Sequence, residues 1–205
     1  ALPTADSDVS SSKDFKGRYY YEKLKFTPLH IDEHLALRKA YIEGLQWCLA
    51  YYYRGCISWG WFYPYHFGPL ISDLTNLTGV FDSIQFQEGA PLKPFEQLMG
   101  CLPPASATIV PKPYRKLMCT ADSPIIEFYP QEFAVDMNGK KNPWEGVNIL
   151  PFIDVDLLKK SIAEHCPDSG LTSDERKRNS LGKVYIFTHD DAALETVPSF
   201  NRDIG

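Results

Sequence analysis

The stretch IDEHLALRKAYIEGLQWCLAYYYRG, Ile31 to Gly55, decides the fold class. Leu37, Tyr41, Leu45, Cys48 and Tyr52 recur at steps of three and four residues, and Ile42, Leu49 and Tyr53 form an adjoining stripe. That spacing is helical. Two apolar stripes predict a helix covered on more than one side, the central helix of the molecule. Asp32 is placed to cap its start, and Gly55 suits a left-handed residue just past its end.

Beyond this helix the chain is punctuated. Gly55 to Pro69 reads as an irregular loop broken by Gly60, Pro64, Gly68 and Pro69, with a further short helix expected over Leu70 to Leu77. Pro94 suits the first turn of a helix whose Phe95, Leu98, Met99 and Leu102 face one way, and Pro103-Pro104 ends it. Tyr114 to Met118 reads as a helical turn, and Asn138-Gly139 as a tight turn before the apolar run Val147 to Phe152. Asp154 caps a helix over about Val155 to Cys166, Ser173 is expected to cap a short turn, and Lys183 to Thr188 reads as a strand.

Residues 1–17 are Ser- and Asp-rich and expected to be disordered, and 189–205 read as a tail, which leaves 18–188 as the folded region. The fold class is mainly α: a helical lobe with long Pro-rich loops and at most a few short strands. Connections of that length need another surface to lie on.

Composition narrows the possibilities. The 205 residues suffice for one domain, or one lobe of a larger one. No apolar stretch approaches the roughly 20 residues of a membrane span, and the polar N-terminus has no signal-peptide character. Five cysteines without a C-x-x-C pair fit reduced intracellular thiols, so the sequon Asn76-Leu77-Thr78 is a chance match. Twenty-one Lys and Arg against 26 Asp and Glu give a net charge of −5, which argues against an autonomous nucleic-acid-binding module.

Few residues carry visible chemistry. A metal-dependent nuclease needs several carboxylates converging on one or two Mg²⁺ ions. The nearest approach is Asp154 and Asp156 in FIDVD, which read better as a helix cap and a first-turn acid. Asp136 reads as a turn acceptor, and Asp190-Asp191 falls in the tail. His30 and His34 lack the Glu of H-E-x-x-H. The concentrated signal is the run at Trp59, Trp61, Phe62, Tyr63, Tyr65, His66 and Phe67, seven rings in nine residues. Burial explains most of them. Trp59 and Trp61 suit either burial or a stacking platform for unpaired bases.

From Tyr41 to Leu74, YIEGLQWCLAYYYRGCISWGWFYPYHFGPLISDL resembles the second conserved region of the Xrn-family 5′-to-3′ exoribonucleases. The resemblance continues through KPFEQLMGCLPPAS, YRKLM, SPIIEFYPQEFAVDMNGKKNPWEGVNILPFID and ERKRNSLGK, covering about Arg18 to Thr188. It implies a parent enzyme that processively degrades single-stranded RNA bearing a 5′-monophosphate. It also implies that the Mg²⁺-binding carboxylates and the phosphate pocket lie in the first conserved region of the same polypeptide, outside this chain. No catalytic and no metal-binding residue is then expected here. Within the S-W-x-W segment, Trp59 or Trp61 would stack on the 5′-terminal base, and Gly60 departs from the polar residue usual between them.

The implied role is an accessory lobe that encloses the active site and is inactive alone. The alternative is a purely structural or protein-interaction helical domain with no RNA contact. ISDL and SPIIEFYP point to the cytoplasmic branch of the family, while RNSLGK and VDMNGKK also suit its nuclear relative.

Overall fold

The computed structural model describes residues 15–182. Helix α1 spans Phe15–Leu24 and the long helix α2 spans Ile31–Arg54, as its periodicity predicts. α1 begins inside the stretch expected to be disordered; its run of three consecutive tyrosines carries no helical spacing, and Tyr20 alone among its residues is buried.

α2 departs from expectation in its surroundings. Leu37, Ala40 and Ile42 are buried, whereas Leu45, Cys48, Leu49, Tyr52 and Tyr53 are exposed. The helix is therefore not covered on a second side by the described residues. Nor does Asp32 cap it: the cap position is His30, without a side-chain cap bond. Asp32 and Glu33 lie instead in the first turn, where negative charge complements the helix dipole. Gly55 follows the helix with φ 88° and ψ −169°, a backbone that favours glycine but is not the left-handed helical one expected. His30 and His34 both turn to Thr27. Nδ1 of His30 accepts its N–H at 2.9 Å, and a ring nitrogen of His34 lies 3.2 Å from its carbonyl.

The main core forms further along. α3 (Pro94–Cys101), α4 (Lys112–Cys119) and α5 (Val155–His165) pack around Phe95, Met99, Tyr114, Leu117, Met118, Leu158 and Ile162. Pro94 opens α3 and Asp154 caps α5 by accepting the Leu157 N–H at 2.9 Å, both as read from the sequence. Apart from Gln46 Oε1 on α2, buried side-chain polar groups among the described residues are paired, as an apolar core requires. Tyr129 donates to the Met99 carbonyl at 2.8 Å, and Ser123 to the Leu117 carbonyl at 2.7 Å. The side-chain oxygen of Asn179 accepts the Phe95 N–H at 3.0 Å, tying α6 (Ser173–Arg178) to the first turn of α3. The cap of α6 is Thr172 rather than Ser173: Thr172 and Glu175 form a reciprocal capping box, which puts the helix start one residue earlier.

Leu70 to Leu77 holds only a 3₁₀ turn, Ile71–Asp73. Strands β1 (Ala134–Asp136) and β2 (Val147–Ile149) pair antiparallel with Val135 opposite Asn148. The turn residues Asn138 (φ 45°) and Gly139 (φ 76°) follow β1. The fold is mainly α, and no described helix is long and apolar enough to cross a membrane. The strand expected at Lys183 to Thr188, the tail at 189–205, Asp190-Asp191 and the segment 1–14 lie outside the described residues.

Candidate nucleic-acid interface

The aromatic run lies against α2, and α1 holds its far end. Tyr19 donates to the Gly68 carbonyl at 2.9 Å; Tyr20 accepts the Leu70 N–H at 3.0 Å and donates to Asp73 at 2.5 Å. Burial and the Asp73 bond push the Tyr20 hydroxyl up to about 12, so it stays a donor at physiological pH. Lys16 also bonds Asp73. Although burial pushes the Asp73 carboxyl up, its bonds from Lys16 and Tyr20 outweigh this and hold it below its ordinary value.

Most rings of the run are used in packing. Phe67 is buried, with the Lys23 ammonium 5.1 Å from its centroid. Tyr63 meets Tyr41 edge-on at 6.3 Å and donates to the Phe67 carbonyl at 3.1 Å. His66 lies 4.7 Å from the Phe152 ring, with a ring nitrogen 2.8 Å from the Leu150 carbonyl. Phe62 also reaches Phe152, at 5.8 Å. The loop is thus fastened to α1, to α2 and to the segment after β2.

The two tryptophans part company. Trp61 is half-buried in an aromatic sandwich, stacked on Trp47 at 6.1 Å and 21° and met edge-on by Phe86 at 6.1 Å. Its ring comes so close to α2 that a Cβ on Gly44 would lie 3.0 Å from it. Trp59 is 49% exposed and its ring has no aromatic neighbour among the described residues. Its backbone is nonetheless held, the N–H donating to the Glu88 carbonyl at 2.8 Å. A ring on a fixed backbone with an open face can receive a flat partner; a ring already stacked on one neighbour, met edge-on by a second and pressed against α2 is engaged in packing.

Sequence reasoning did not single out Trp47, Phe86 or Glu88, which build this seat. The sequence signal for this seat is Gly44, a glycine inside a helix that costs about 1 kcal/mol against alanine and so marks a close approach, here that of the Trp61 ring.

The chain matches the Xrn1 helical domain over residues 10–202. It belongs to the Xrn family. Over 190 residues it is 49% identical to 5′-3′ exoribonuclease 1 of Schizosaccharomyces pombe, covering 91% of this chain and 14% of that protein. Over 181 residues it is 47% identical to 5′-3′ exoribonuclease 2 of Saccharomyces cerevisiae, covering 87% of this chain and 18% of the relative. The 5′-3′ exoribonuclease 2 homolog of Drosophila melanogaster is 45% identical over 174 residues, 84% of this chain and 19% of its own length. The chain thus spans less than a fifth of these Xrn relatives.

Among the described residues, the carboxylates singled out from the sequence do not build a Mg²⁺ centre. Asp154 is occupied as a helix cap and Asp136 as an acceptor from Lys23 and the Asn138 N–H. Among the described residues no three His, Cys, Asp or Glu side chains converge as metal ligands.

Proposed function

We propose that this domain is the accessory lobe of a 5′-to-3′ exoribonuclease acting on single-stranded RNA with a 5′-monophosphate, and that Trp59 stacks on the 5′-terminal base. The observation that carries the reading is the half-exposed Trp59 ring on a backbone bonded to Glu88, beside a Trp61 ring already consumed by packing. Stacking is indifferent to base identity, which suits an enzyme that removes nucleotides of any sequence. The hydrolysis itself is assigned to Mg²⁺ held by the first conserved region of the parent polypeptide.

The exposed face of α2 supports the same arrangement. Leu45, Leu49, Tyr52 and Tyr53 are between 52% and 83% exposed on one length of helix. Contiguous apolar surface of this kind marks an interaction site. The first conserved region is its proposed occupant, and packing there would bring the lobe against the catalytic half.

Removing one base–ring stack costs about 1–3 kcal/mol. Trp59→Ala in the intact parent is therefore expected to weaken binding of 5′-monophosphorylated RNA roughly 5- to 150-fold while leaving thermal stability near wild type. Unchanged RNA affinity and turnover in a folded Trp59→Ala enzyme would favour the purely structural reading.

A further inference from the structure

The Ser58–Trp59 peptide is gripped from two sides. On one, the Trp59 N–H donates to the Glu88 carbonyl at 2.8 Å. On the other, the indole N–H of Trp47 donates to the Ser58 carbonyl at 3.0 Å, and Ser58 is buried at 5% exposure. The Cys56 thiol reaches the same carbonyl at 3.3 Å, a weak second donor. Trp47 is itself immobilised. Its ring stacks on Tyr51 at 5.2 Å and 8°, both on α2, and on Trp61 at 6.1 Å and 21°.

We propose that Trp47 is a positioning residue for RNA stacking: its indole N–H sets the peptide plane from which the Trp59 side chain departs. The inference rests on the Trp59 reading above and extends it from the stacking ring to the helix that aims it. A loop alone gives a ring many orientations, whereas a side chain of a packed helix gives it one. A stack needs a particular ring plane, so a carbonyl free to rotate would lower the fraction of enzyme ready to bind. The expected signature is a weaker stack and a higher KM, with kcat for bound substrate little changed.

The test uses the intact parent enzyme with Trp47→Phe, Trp59→Ala and the double variant. The probe is a 5′-monophosphorylated RNA with 2-aminopurine as its first base and a non-hydrolysable first linkage. Quenching of its fluorescence on binding reads the stack directly. Steady-state KM and kcat on the cleavable RNA, and thermal unfolding, accompany it. Trp59→Ala is expected to abolish the quench. Trp47→Phe keeps an aromatic ring beside Tyr51 and Trp61 and loses the donor along with part of the indole's packing; it is expected to reduce the quench and raise KM roughly 3- to 10-fold, the scale of one hydrogen bond. The double variant should be no worse than Trp59→Ala alone, because both act on one contact.

If Trp59→Ala loses the quench and Trp47→Phe retains wild-type quench and KM, the positioning role is wrong and the stacking ring stands. If Trp59→Ala keeps the quench, it is the Trp59 reading that fails. Additive losses in the double variant would also overturn the proposal, since Trp47 would then act elsewhere. Should Trp47→Phe unfold, Trp47→benzothienylalanine, which preserves the bicyclic shape and replaces the N–H by sulfur, decides by the same criteria.

Discussion

Two tryptophans separated by one glycine meet different fates because α2 has room for only one of them. Trp61 lies over Gly44 between Trp47 and Phe86, and Trp59 is left at the surface. The close approach depends on a missing side chain. A methyl group on Gly44 would sit 3.0 Å from the Trp61 ring, tighter than ordinary contacts. Alanine is the better helix former by about 1 kcal/mol, so the local effect of Gly44→Ala is favourable. Overpacking costs roughly 1–3 kcal/mol and displaces the ring. The expected outcome is a Gly44→Ala parent enzyme with stability within about 2 kcal/mol of wild type in urea unfolding but reduced affinity for 5′-monophosphorylated RNA. Wild-type affinity would show that the sandwich has slack.

At the scale of elements, the β-hairpin is fastened to α1 by an ion pair, Lys23 to Asp136 at 2.5 Å, with side chains 17% and 30% exposed. The hydrogen bond from Lys23, together with the Asn138 N–H, holds the Asp136 carboxyl below its ordinary value of 3.8. A carboxyl whose folded value is depressed stabilises the fold above its unfolded value and loses that contribution as pH falls through the folded one. Asp73, bonded by Lys16 and Tyr20, has the same sign. Asp136→Asn is thus expected to destabilise the chain at pH 6, with the gap to wild type closing progressively as pH falls below about 4 in equilibrium unfolding. A gap independent of pH would mean the side chain acts through shape alone. The helices that depend on local spacing, α3 and α5, were legible from Pro94 and Asp154 almost to the residue. α1 was not, because its tyrosines are ordered by distant partners at Gly68, Leu70 and Asp73 rather than by any periodicity.

For the whole molecule, the exposed rings of α2 and the lack of three converging metal-ligand side chains among the described residues bear on one question, which is what this domain can do by itself. The isolated 205-residue chain is expected to show no Mg²⁺-dependent degradation of 5′-monophosphorylated RNA in a gel assay. Robust digestion by the pure chain would sink the accessory-lobe reading. Sequence alone determined the helical class, the position of α2, the first-turn Pro94, the cap at Asp154, and the Xrn resemblance that the matched family bears out. All of these are written in residues close along the chain, where spacing and caps act over one or two turns. Only the tertiary structure decided that the second stripe of α2 is bare, and that Trp61 is packed while Trp59 is open. The fates of the two tryptophans depend on Phe86, Glu88 and Gly44, outside the run in sequence and adjacent to it only after folding. Burial is a property of what a side chain meets, and an alternation of apolar residues names a face without saying what covers it.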